Sequence, residues 1–74
     1  MVHAPGLVWR LERSAVRDVQ CWITEAPSAL LALRVIYGDE TMLDEMYPDI
    51  ETARARADSL RNDLVKAGWT EMRQ

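Results

Sequence analysis

Residues 29–37, ALLALRVIY, decide the fold, because these nine residues read either as a helix or as a strand. Ala and Leu favour a helix, and Ser28 stands where it can cap one. Read as a strand, the stretch puts Leu31, Leu33, Val35 and Tyr37 on one face and Ala32, Arg34 and Ile36 on the other. The strand is preferred for two reasons. The second half is β-branched, and YGDET (residues 37–41) then offers a hairpin turn.

The flanking segments extend the pattern. Upstream, EAPS (25–28) is a loop in which Pro27 stops a ladder. VRDVQCWIT (16–24) alternates, with Val19, Cys21 and Ile23 on one face and Gln20, Trp22 and Thr24 on the other. RSA (13–15) allows a turn. LVWRLER (7–13) alternates again, with Leu7, Trp9 and Leu11 inward and Val8, Arg10 and Glu12 outward. Residues 1–6 read as a tail containing the breaker pair Pro5-Gly6. Downstream, TMLDEMY (41–47) is the return strand, with Leu43 and Tyr47 inward beside Glu45. Its Met and Glu content leaves a helical turn open as the alternative.

Residues 49–67 predict a helix. Asp49 can cap it and Glu51 suits its positive end. Ile50, Ala53, Ala57, Leu60, Leu64 and Ala67 form one apolar stripe at alternating spacings of three and four. Gly68 is a natural left-handed stop, after which Trp69 can fold back onto Leu64 or Leu60. The expected fold is therefore α+β in two layers. An antiparallel meander of three to four strands packs on one C-terminal helix, in the order ββββα, over residues 7–69, with 70–74 as a tail.

This layout resembles a group of short bacterial proteins of unassigned activity. The shared features are a meander with a Gly/Asp turn (YGDET), an aromatic helix-capping segment (MYPDIETA), and an Ala/Arg-rich helix (ARARADSLRNDLVKA) ending in Gly68-Trp69. The resemblance implies a fold and carries over no functional residue. The acidic DETMLDEMYPD departs from the neutral or basic return strand expected of that group. Three-stranded sheets backed by a helix also occur in plant-type AP2 and phage-integrase DNA-binding domains, to which the chain is similar in architecture only.

Composition narrows the functional classes. At 74 residues and one expected domain, the core is small, so self-association is a natural source of extra stability. Cys21 is the single cysteine, and His3, the one histidine, has no Cys or His at ligand spacing; no metal or cofactor is expected. With no signal-peptide pattern at the start and no long apolar run, the expectation is a cytoplasmic, non-membrane protein. The net charge is −3, whereas proteins held to phosphate backbones are usually basic.

Three arginines crowd ETARARADSLR (51–61), but from Asp49 to Lys66 four acids balance four bases. A neutral helix exerts no field on a polyanion, so its arginines are expected to be solvated. They are expected to pair along the helix as Glu51–Arg54, Arg54–Asp58, Asp58–Arg61 and Asp63–Lys66, their stems covering the sheet edge. Cys21 is expected to be a buried inert thiol and His3 a tail residue. Asp39, Glu40, Asp44 and Glu45 do not follow calcium-loop spacing and are expected to protect an edge strand. Residues 39–51 hold six acids and no base.

The outer sheet face attracts more attention. In this register it shows Val8, Arg10, Gln20, Trp22, Ala32, Arg34, Ile36, Met42 and Met46, which is too apolar for a solvated face. Arg10, Trp22, Arg34, Ile36, Met42 and Met46 are the candidate interaction surface. The leading expectation is a non-enzymatic interaction module that forms a homodimer through this face or a strand edge, or meets another protein there. One alternative is a nucleic-acid binder that stacks bases on Trp22 and grips phosphates with Arg10 and Arg34. Another is an acidic accessory or inhibitor protein that offers residues 39–51 to a basic partner. An enzyme ranks last, since no Gly-rich phosphate loop, Ser/His/Asp set or HExxH run is present and no catalytic residue is nominated.

Overall fold

The computed structural model describes residues 6–13 and 18–71. The sheet strands are β1 (Gly6–Glu12), β2 (Asp18–Ala26), β3 (Leu30–Tyr37), β4 (Glu40–Tyr47) and β5 (Thr70–Glu71), with helix α1 (Ile50–Lys66) between the last two. All pairings are antiparallel, in the order β4-β3-β2-β1-β5. The ambiguous stretch is a strand, and the two-layer α+β meander with one C-terminal helix is the observed fold. Among the described residues, no helix is long and apolar enough to cross a membrane.

One sheet face meets the helix. Trp9, Leu11, Val19, Cys21, Ile23, Leu33 and Val35 form a buried cluster with Ala53 and Ala57 of α1. Leu31, Tyr37, Leu43, Tyr47, Leu60, Leu64 and Trp69 pack around it. Ala53 and Ala57 are fully buried, and their small side chains let the helix backbone approach the sheet. The approach is close enough for Trp9 Nε1–H to donate to the Ala57 carbonyl across 2.9 Å. That bond satisfies the one polar atom of a large buried side chain, whose orphaning would cost about 1–3 kcal/mol.

The helix ends are chemically specified. The Asp49 carboxylate accepts the Thr52 N–H at 2.7 Å. At the other end Gly68 takes φ +105. Its N–H donates to Val65 O and that of Trp69 to Leu64 O, a complete Schellman closure. Trp69 folds back as expected, but its ring meets Tyr37 edge-on, with centroids 6.0 Å apart. The apolar stripe is shorter than its spacing suggested. Ile50 is 44% exposed and Ala67 is exposed, so the buried part of the stripe is centred on Ala53 and Ala57.

Several expectations need correction. The sheet has five strands, not three or four: the reversal at Gly68 lays Thr70 and Glu71 against Glu12 and Leu11, residues expected in a tail. Gly6, also assigned to a tail, starts β1 and pairs with Ile23. A β-bulge shifts the register between Leu7 and Trp9. Leu7 therefore pairs with Trp22 and is 43% exposed instead of inward, while Val8 packs against the core instead of facing out. Ser28 caps no helix. Together with Ala29 it takes positive φ, +65 and +62, in the turn joining β2 to β3. His3, Arg17 and most of the RSA turn lie outside the described residues.

The turns explain the register. Gly38, at φ +64, opens the two-residue connection between β3 and β4, a position glycine fills without strain. At the other hairpin a serine and an alanine hold left-handed backbone that disfavours a Cβ. Replacing Ser28-Ala29 by Asn-Gly should raise unfolding free energy in urea by about 1 kcal/mol, the left-handed penalty less the entropy glycine adds to the unfolded chain. At the helix–sheet contact, Ala57→Leu should lower it by about 1–3 kcal/mol through overpacking. Ala55→Leu, on the exposed side, should change it by less than about 0.5 kcal/mol.

Candidate functional site

Facing away from α1, the sheet presents cross-strand rows set by the register. One runs Leu7–Trp22–Arg34–Asp44, the next Arg10–Gln20–Ile36–Thr41, and a third Thr24–Ala32–Met46. Ala32 is only 3% exposed, although it lies on the uncovered side. A methyl flanked by Thr24 and Met46, with Trp22 and Arg34 one row away, forms the floor of the face. Met46 is 52% exposed and Trp22 and Ile36 are half-buried. Among the described residues no second layer covers them.

Of the six nominated residues, Arg10, Trp22, Arg34, Ile36 and Met46 are brought together on this face. Met42 stands apart. A second bulge, at the Val35/Ile36 step, pairs Val35 with Leu43 and Ile36 with Thr41, so Met42 has no cross-strand partner and is 64% exposed on the edge strand. Leu7, Thr24 and Asp44 belong to the face and were not nominated. Leu7 was missed because a one-residue bulge leaves no trace in an alternating pattern. Asp44 could have been found from its alternation with Met46.

The polar groups of the face are bound to one another. Arg10 Nε–H donates to Asp18 Oδ2 at 2.9 Å, Gln20 Nε2 to the same oxygen at 3.0 Å, and Trp22 Nε1–H to Gln20 Oε1 at 2.9 Å. Asp18, Gln20 and Trp22 alternate along β2, so the strand itself aligns this chain. Its effect is to fix the edge of the indole ring that bears Nε1. Gln20, and after it Arg10, hold the Asp18 carboxyl below its ordinary value. Arg34 Nε–H lies 3.3 Å from Asp44 Oδ2. Both arginines of the face are thus engaged by carboxylates.

The helix arginines are used differently from expectation. Arg56 donates to Glu45 of β4 at 3.2 Å, and Arg61 to Glu71 of β5 at 2.6 Å. The observed pairs run from helix to sheet, one to each edge strand; of the expected intrahelical pairs only Asp58–Arg61 shares a residue with them, and Arg61 takes Glu71 as its hydrogen-bond partner. Glu45 faces the helix side and accepts from the Tyr47 hydroxyl as well as from Arg56, which holds its carboxyl below the ordinary value. The acids of β4 are therefore partly committed. Cys21 is fully buried, and burial pushes its thiol up to about 12, leaving it a neutral packing group.

The site is thus the open face of a two-layer α+β domain: one tryptophan, aliphatic and thioether neighbours, and charges neutralised in place. Set against protein-family models, curated proteins and solved structures, the chain matches none.

Asp18, Glu45 and Asp49 all sit below their ordinary values of 3.8, 4.5 and 3.8 in the folded chain, Asp49 because it accepts the Thr52 N–H. Carboxyls lowered by folding stabilise the native state above their unfolded values, and that contribution is lost as pH falls through the folded ones. Urea unfolding should show stability declining below about pH 4. Asp18→Asn should flatten part of that acid limb.

Proposed function

We propose that this chain is a small, non-enzymatic interaction module that associates with a second copy of itself. The observation that carries the reading is the band of Leu7, Trp22, Ile36 and Met46 on the face opposite the helix. Three of the five large hydrophobics exposed among the described residues, Leu7, Met42 and Met46, lie on this face or its edge strand. An antiparallel sheet that ends in water normally carries polar side chains there. Trp, Met and Arg are also the residues interfaces favour.

The internal pairing of charge separates this reading from nucleic-acid binding. A phosphate-gripping surface needs uncompensated cations to displace counterions. Arg10 and Arg34 are held on Asp18 and Asp44, and releasing either exposes an acid beside the incoming phosphate. The same arrangement favours a protein-like partner over a polyanion, and a second copy of the chain meets that description.

Sedimentation equilibrium of the full chain should give a monomer–dimer equilibrium that is little affected by salt. Trp22→Ala should weaken it by roughly thirtyfold, as for a central aromatic anchor worth about 2 kcal/mol. Met46→Lys, at an exposed position that leaves folding intact, should weaken it by at least about tenfold. A chain that stays strictly monomeric at millimolar concentration rejects the proposal.

A further inference from the structure

Self-association of an open sheet can run along an edge, extending the ladder, or across a face, stacking two sheets. We infer that, given the self-association proposed above, the two copies stack face to face as a sandwich and do not join edge to edge.

Both edges argue against extension. On one side β4, the border strand among the described residues, carries the exposed Glu40 and is interrupted by the bulge at Met42. A second β4 laid against it would have to propagate a ladder that this bulge bends. On the other side β5 covers Leu11 and Glu12, and Arg61 fixes Glu71 in place. The rest of β1 that lies open there carries the other bulge, at the Leu7/Trp9 step. Each accessible edge is therefore irregular.

The face has the opposite properties. Its ladder from Thr24 through Ala32 to Met46 is regular, and its two ion pairs sum to no net charge. A two-fold axis through it sets on its own copy a surface whose charges largely cancel, with Glu12 at the end of β1 as the remaining acid. Four long strands spaced about 4.8 Å apart, each about 23 Å long, present a projected area of roughly 440 Å2. Two copies then bury roughly 900 Å2 in total, the size of weak, reversible complexes rather than obligate dimers. The small size of the patch explains how the chain can fold with the face open.

The test is isotope-filtered NOE spectroscopy on a mixture of labelled and unlabelled full-length chain at millimolar concentration. Face stacking predicts intermolecular contacts from the Met46 methyl and the Ile36 methyls to the Trp22 ring. It also predicts that the β4 backbone amides exchange with solvent at the same rate in monomer and dimer. A dimer that shows Hα–Hα contacts between two β4 strands, or between two β1 strands, overturns this inference and leaves self-association standing. Absence of a dimer overturns the self-association on which it rests.

Discussion

The close approach of α1 to the sheet, through Ala53 and Ala57, is the contact on which the rest depends. Nothing larger than a methyl fits at those two positions while Trp9 donates its indole N–H to the Ala57 carbonyl. The bond ties the largest core side chain to the helix backbone, and so sets which face of β1 is inside. Because antiparallel pairing carries that choice from strand to strand, the same contact determines that Cys21, Leu33 and Val35 go in while Trp22, Arg34 and Ile36 go out. Among the described residues there is one α-helix, and it covers one face of the sheet.

Charge placement reinforces the two-layer arrangement. Arg56 and Arg61 leave opposite flanks of the helix and reach carboxylates on β4 and β5, the two borders of the sheet. Partly exposed pairs of this kind contribute little each. Their placement matters more than their energy, since both resist sliding of the helix across the strands. With Arg56 and Arg61 held by carboxylates of the sheet and the face arginines by Asp18 and Asp44, four cations are compensated in place, consistent with the net charge of −3. On the open face itself, what stays unpartnered is mainly the apolar group of Leu7, Trp22, Ile36 and Met46.

Most of the fold was legible in the sequence. Alternation in residues 18–24 and 30–37, the Gly38 turn, the Asp49 cap and the Gly68 stop each name an element from chemistry confined to a few neighbouring residues. Five of the six nominated surface residues also share the face, because period-two alternation survives wherever the ladder is regular. It fails where one residue is inserted. The bulges near Val8 and Met42 invert or detach single side chains, and no local composition marks them. Leu7 consequently joined the surface and Met42 moved to its border.

The sequence by itself determined the strand and helix segments, the sidedness of the regular strands and the absence of a free cationic field, since these follow from propensity, periodicity and charge count along the chain. Tertiary structure alone decided three things: that Thr70–Glu71 would close the sheet on β1, that Arg56 and Arg61 would pair with strands of the other layer, and that Trp22 would be held through Gln20 to Asp18 and Arg10. Each of these is a choice among several chemically equivalent partners. Distance in the folded molecule makes that choice, and spacing along the chain does not encode it.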